Sequence, residues 1–232
     1  MANILVTGTS RGIGAAILGA LHGQNAVGHS TRGGAGAIAA DLFEPEQAGA
    51  LWQEAVSRLE GRIDVLVNNA GVFEANPIEE GDEVWLAGWE RTMQINLAAS
   101  ATLCRLAVLH FRENGGGRIV NVASRAAYRG DSPRHWHYAA SKAGMVAMTK
   151  SIARGYAAEG VLAFAVCPGF VMTGMAEEYL ESRGGDALLA DIPLGRVAMP
   201  DEVAETVRWL ALDAPASATG AVIDVNGASY VR

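Results

Sequence analysis

Tyr138 and Lys142 stand four residues apart in the run His137-Tyr138-Ala139-Ala140-Ser141-Lys142-Ala143-Gly144. On a helix, that spacing stacks them on one face. A phenol ordinarily loses its proton near pH ~10. An ammonium held beside it favours the phenolate, so Lys142 is expected to lower the Tyr138 pKa. The result would be a proton donor and acceptor usable near neutrality, as interconversion of a carbonyl and an alcohol requires. By itself the pair is also what a solvated helix face looks like. Ser124, Asn96 and a glycine-rich loop give it context.

That loop is Thr7-Gly8-Thr9-Ser10-Arg11-Gly12-Ile13-Gly14, directly after the first apolar run and before the first helical stretch. Glycines 8, 12 and 14 permit a tight turn, close approach of backbone to a pyrophosphate, and close helix–strand packing. The following helix would present unpaired N–H groups to the phosphates. The second strand ends Gly28-His29-Ser30-Thr31-Arg32, with no acid before Asp41. A site for NAD usually offers a carboxylate there to the ribose 2′-hydroxyl. Arg11, Thr31 and Arg32 suit a 2′-phosphate instead. NADP(H) is favoured and NAD(H) is the alternative, with a merely solvated Arg32 as the bland reading.

The elements that must position these groups alternate along the chain. Strands are expected at Ile4–Thr7, Ala26–Ser30, Ala37–Ala40, Asp64–Asn68, Arg118–Ala123, Val161–Cys167 and Ala221–Val225. Several are apolar on both faces, as in a sheet covered on both sides. Helices are expected at Gly12–His22, Pro45–Glu60, Val84–Asn114, Tyr138–Glu159 and Pro200–Leu212. This predicts an α/β Rossmann fold, a doubly wound seven-stranded parallel sheet with helices on both faces. The link from Thr31 to Ala37 is too short for a full crossover helix.

The 232 residues, half of them hydrophobic, suffice for a full core. No linker or composition shift divides them, so residues 1–232 are read as one domain. No basic leader and no stretch near the ~18 to 20 apolar residues of a membrane span are evident. Cys104 and Cys167 read as small buried hydrophobes, and no metal-ligand spacing occurs. A cytoplasmic protein without membrane or metal is expected. The net charge of −7 argues against nucleic acid. Trp52, Trp85, Trp89 and Trp209 read as packing residues, and His22, His29 and His110 as surface or capping groups.

With these residues in view, the chain resembles the short-chain dehydrogenase/reductase family. The resemblance rests on the loop at 7–14, Asn68-Asn69-Ala70-Gly71, Asn96, Ser124, Tyr138 with Lys142, and Pro168-Gly169, in that order. Within the family, the stretches Thr7–Gly14, Ile192–Glu202 and Ala218–Gly227 look most like bacterial 3-oxoacyl-[acyl-carrier-protein] reductases. The resemblance implies that Ser124 holds the substrate oxygen and Tyr138 delivers the proton. It implies that Lys142 tunes Tyr138 and meets the nicotinamide ribose, and that Asn96 bends its helix and holds a relay water. Cofactor contacts implied by position are Gly8, Thr9, Ser10, Arg11, Gly12 and Ile13, with Thr31 and Arg32. Asp41 and Leu42 would meet the adenine, and Asn69, Ala70 and Gly71 would follow along the dinucleotide. Pro168, Gly169, Val171 and Thr173 would meet the nicotinamide side. The family also implies a homotetramer, with small residues such as Ala98, Ala99, Ala101, Ala147 and Ala153 on the long helices.

The chain departs from its relatives in places. Ser124 and Tyr138 stand one position farther apart than is common. Their connecting loop carries Arg125, Arg129, Arg134, His135 and His137 against Asp131. It either attracts an acidic substrate, such as an acyl carrier protein or a keto acid, or is only a solvated loop. The segment Met172–Ala190 would form a substrate lid. The leading expectation is an NADPH-dependent ketoreductase acting on a small or acyl substrate. The alternatives are an NAD-dependent alcohol dehydrogenase acting on a small hydroxy compound and a non-catalytic dinucleotide-binding regulator.

Overall fold

The structure, a computed structural model, describes residues 1–34, 36–173 and 185–232, with the backbone alone at 186–188. Seven strands form one parallel sheet in the order β3-β2-β1-β4-β5-β6-β7. They are β1 Asn3–Val6, β2 Asn25–Ser30, β3 Ile38–Ala39, β4 Val65–Asn68, β5 Gly117–Val122, β6 Val161–Pro168 and β7 Val222–Val225. All neighbouring pairs run parallel, with Leu5 opposite Val27 on one side and Leu66 on the other.

Side chains alternate between faces along each strand, which explains the near-continuous apolar runs. On one face Leu5, Leu66, Ile119 and Ala163 pack under α2 (Gln47–Arg58) and α4 (Ala99–Glu113), against Trp52, Leu103 and Phe111. On the other, Ile4, Val6, Val67, Val120 and Val166 pack under α1 (Gly12–Ala20) and α8 (Pro200–Leu212). The remaining helices are α3 (Asp82–Met93), α5 (Ala126–Arg129), α6 (Trp136–Tyr156) and α7 (Gly185–Ala190).

The long helix expected over Val84–Asn114 is broken by a π-helical turn at Gln94–Ala98, between α3 and α4. The run Asp82–Glu113 is long and apolar enough to cross a membrane, with mean hydropathy 1.2 over its most apolar window. This corrects the expectation that no such stretch exists. Half of that window is buried within the fold. Between β2 and β3 no crossover helix occurs among the described residues; a bridge between Gly34 and Ala37 closes a tight reversal. The lid segment falls mostly on residues 174–184, outside the described residues.

Sheet order reverses direction of growth at β1 and β4. The loops after those strands therefore part at their C-terminal ends and leave a crevice, the usual ligand position in open α/β sheets. The glycine loop and the stretches after β2, β4, β5 and β6 that were singled out from the sequence lie on this edge.

Candidate active site

Thr7, at the end of β1, ties the two loops of the crevice together. Its hydroxyl oxygen accepts from the N–H groups of Asn69 and Ala70, each at 3.0 Å. Asn69 returns its side-chain amide to the carbonyls of Thr7 and Gly8, both at 3.0 Å. Gly8 has φ +72°, and a Cβ there would stand 2.7 Å from the Ala70 Cα. A Cβ on Gly14 would meet the Gly8 carbonyl oxygen at 2.0 Å. No side chain fits at either position, so the glycines are demanded by the approach of one backbone to the other. Gly12, φ +56°, faces the Thr173 side chain across 3.1 Å from an added Cβ.

A cavity of about 490 Å³ opens beside this loop, lined by Thr9, Ser10, Gly28, Ser30 and the turn Gly33–Ala37. Arg11, Thr31 and Arg32 are exposed at its rim, and Ser30 rather than an acid ends β2. A bare-backbone cradle at the head of α1 with an open groove beside it fits a dinucleotide.

On the other side of the crevice, Tyr138 and Lys142 lie one turn apart in α6. The Ser124 hydroxyl, just after β5, acts on the Tyr138 phenol and lowers its pKa. Ser124 Oγ also accepts the Ala126 N–H at 3.1 Å, which leaves its proton to donate. Lys142 is buried and donates to the Val122 carbonyl at 2.9 Å, with Nζ 5.8 Å from the Tyr138 ring centre. A Cβ on Gly71 would lie 3.2 Å from Asn96 Oδ1 and 3.5 Å from Lys142 Nζ, so the loop after β4 reaches the same place.

Asn96 sits fully buried in the π turn. Its Oδ1 accepts the Val72 N–H at 2.8 Å and its Nδ2 donates to the Val72 carbonyl at 3.0 Å. Nδ2 also reaches Ser141 Oγ at 3.3 Å, and Ser141 donates to the Tyr138 carbonyl at 2.7 Å. The widened turn thus carries a side chain that fixes both the loop after β4 and the start of α6.

The family described as enoyl-(acyl carrier protein) reductase matches residues 12–228. D-threitol dehydrogenase of Mycolicibacterium smegmatis is 36% identical, covering 98% of this chain and 92% of its own. A 3-oxoacyl-[acyl-carrier-protein] reductase of Vibrio harveyi is also 36% identical, over 98% and 96% of the two chains. Acetoacetyl-CoA reductase of Rhizobium meliloti is 32% identical over 97% of each. The chain belongs to the short-chain dehydrogenase/reductase family.

This short-chain dehydrogenase/reductase is an NAD(P)-dependent oxidoreductase that interconverts a carbonyl and an alcohol. Three expectations for its site are corrected. Lys142 was expected to lower the Tyr138 pKa, but burial pushes the phenol up to about 12, against a smaller lowering by Ser124. Burial likewise brings the Lys142 ammonium down to about 8. For both groups the loss of water outweighs what their neighbours return.

The loop after Ser124 is less cationic than its composition implies. Asp191 accepts from Arg129 at 2.7 Å and from Arg125 at 3.3 Å. Arg129 holds the Asp191 carboxyl below its ordinary range. Arg125 is buried and lies over the Phe170 ring at 4.9 Å. Burial lowers the His135 pKa, so that ring is neutral near pH 7. Its Nδ1 stands 2.7 Å from Ser132 Oγ, and the ring stacks on Phe73, whose edge meets Tyr138.

His29 is not a surface group in this short-chain dehydrogenase/reductase, whereas His110 is half-buried and caps a backbone N–H. His29 is buried and joins the Gly8 N–H to the Ala40 carbonyl; His110 Nε2 accepts the Ile63 N–H at 3.0 Å. Trp52 is buried, and Trp209 is 39% exposed. Sequence reasoning also passed over Thr7 and the buried chain Asn68–Asn121–Thr149, which pins α6 to β4 and β5. A polar residue inside an otherwise apolar strand was the available signal for Asn121 and His29. Cys104 and Cys167 are buried free thiols, and no metal-binding cluster occurs among the described residues.

Proposed function

We propose that this enzyme is an NADPH-preferring ketoreductase in which Ser124, Tyr138, Lys142 and Asn96 form the catalytic set. The observation that carries the reading is Ser124 beside the Tyr138 phenol, whose pKa burial pushes up to about 12, with Lys142 and Asn96 reaching the same loop after β4. A phenol of that kind is a proton donor at neutral pH, as the reducing direction needs.

A bound nicotinamide dinucleotide supplies the hydride. Ser124 Oγ, already accepting from Ala126, turns its O–H to the substrate oxygen as negative charge grows there. Tyr138 gives that oxygen its proton. Lys142, held by the Val122 carbonyl with its Nζ 5.8 Å from the ring centre, is the residue that would meet the nicotinamide ribose. Asn96 keeps Val72 and Ser141 in place, and with both ends of its amide engaged, a proton relay runs past its main chain rather than its side chain.

Preference for NADPH is supported by Arg11 and Arg32 at the rim of the adenine-side cavity and by Ser30 where a carboxylate would mark NAD. Thr31, Asp41 and Leu42 border the same end. The substrate is a small or acyl ketone; the Asp191 pairing of Arg125 and Arg129 favours a neutral substrate over an acidic one. That pairing also favours a second reading, oxidation of a small polyhydroxy compound by the same groups. A cytoplasmic homotetramer is the assembly we propose, with exposed Ala98, Leu109 and Ala147 on α4, α6 and the π turn available for helix packing between copies. Turnover with NADPH and NADH across ketones, acyl thioesters and polyols tests the reading. Faster polyol oxidation with NAD would replace it with the second.

A further inference from the structure

His29 lies near the end of β2 with 2% of its surface exposed. Its Nδ1 accepts the Gly8 N–H at 3.2 Å, and its Nε2 stands 2.9 Å from the Ala40 carbonyl oxygen. A backbone N–H only donates and a carbonyl only accepts. One protonation state satisfies both, the neutral ring with its proton on Nε2. The His29 carbonyl in turn accepts from Thr9 N at 2.8 Å and from Thr9 Oγ1 at 3.2 Å.

The groups gathered by this one residue belong to separate parts of the nucleotide site. Gly8 and Thr9 open the glycine loop. Ala40 leads directly into Asp41 and Leu42, the stretch expected to meet the adenine. β2 and β3 are joined by a tight reversal and no helix, and Ile38, Ala40 and Leu42 are buried in the core under α2, so this stretch sits firmly as a shelf and the imidazole ties the glycine loop to it. β3 itself has only two residues, paired to β2 through His29 and Ser30. The imidazole is therefore a strut between the pyrophosphate loop and the short strand that carries the adenine shelf.

We infer that His29 is a positioning residue for the dinucleotide, an imidazole that locks the glycine loop to the Ala40–Leu42 shelf only while it is uncharged. The inference rests on reading the glycine loop as the dinucleotide seat. Protonation of Nδ1 sets an N–H against the Gly8 N–H, and either the ring or the loop must then move. Burial disfavours the cation and lowers the His29 pKa, while the Ala40 bond and the Asp41 carboxylate oppose this. Asp41 is the charged group acting on the ring; the glycine loop offers only the uncharged Gly8 and Thr9.

The test uses the whole chain and reads binding as well as protonation. Nitrogen-resolved NMR of the free protein is expected to show the Nε2–H tautomer at pH 7.5 and to locate the His29 pKa. Below that pKa the Kd for NADPH should rise towards tenfold per pH unit. His29→Gln carries one acceptor and one donor at similar spacing and does not titrate. It should hold affinity near the parent value at pH 7.5 and lose much less on acidification. His29→Phe should weaken binding about tenfold at pH 7.5, the cost of two lost hydrogen bonds. An Nδ1–H tautomer, or parallel acid loss in the parent and His29→Gln, overturns the inference while leaving the glycine-loop reading intact. Should His29→Phe fail to fold, those two measurements still decide. A folded parent that binds neither NADPH nor NADH at any pH overturns both.

Discussion

Lys142 gives a 2.9 Å hydrogen bond to the carbonyl of Val122 while its Nζ stands 5.8 Å from the centre of the Tyr138 ring. The groups that set the phenol's acidity are burial, the Ser124 hydroxyl, Asp131 and Cys167. Tyr138 is therefore a proton donor across the neutral range. Tyr138→Phe removes that proton and keeps the ring against Phe73. Turnover should fall at least ~10²-fold with little change in dinucleotide Kd. Steady-state kinetics beside a binding titration checks this, and residual activity above a tenth of the parent would contradict it.

Burial brings the Lys142 pKa from 10.5 to about 8 in the folded chain. An unfolded lysine keeps its ordinary value, so between about pH 8 and 10.5 the folded state binds fewer protons and stability rises with pH. Below about pH 8 the charged, buried ammonium exerts its full penalty; above 10.5 there is none. Lys142→Met should therefore stabilise the protein by ~1–3 kcal/mol at pH 7, since each pKa unit is worth about 1.4 kcal/mol and the Val122 bond offsets part of the gain. The advantage should vanish by pH 10.5, and activity should be lost at every pH. Urea melts of both proteins at the two pH values read the difference directly.

Arg11 and Arg32 stand exposed at the adenine end, where β2 finishes on Ser30. Replacing both with alanine should raise the Kd for NADPH by tenfold or more, since bonds to charged groups are worth about 1.5–3 kcal/mol. The Kd for NADH should change by less than about threefold. Parallel weakening of both cofactors would mean that the arginines act on the pyrophosphate or the fold.

Asp191 pairs with both Arg125 and Arg129 beside Ser124 and offsets part of their charge. Asp191→Asn should free their positive field and raise kcat/KM for an acidic ketone relative to a matched neutral one, an advantage that fades with salt. An unchanged ratio at low ionic strength would show that the loop does not face the substrate.

Ala228 holds φ +64°, a left-handed conformation costly for a residue with a Cβ. Ala228→Gly should stabilise the chain by about 0.5–1 kcal/mol after the extra chain entropy of glycine is counted. Thermal melts should show a rise of a few degrees. A lower Tm would place the strain elsewhere.

Local chemistry was enough to read the sheet and the crevice from the sequence and to single out Tyr138 and Lys142. Strand periodicity, the glycines of 8–14 and the four-residue step from Tyr138 to Lys142 depend only on neighbours along the chain, as does the shortness of the link from Thr31 to Ala37. Contacts between distant segments were not legible in that way. Asp191 lies far along the chain from Arg125 and Arg129, and only the folded loops make an apparent cationic patch into an ion-paired one. His29 looked like a surface group because nothing near it in the sequence announces Gly8 or Ala40. The π turn around Asn96 arises from its two bonds to Val72, formed across the crevice. Burial depth decided the acidities of Tyr138 and Lys142. Desolvation comes from every element packed around a group, so the residue beside it in the chain could not reveal its sign.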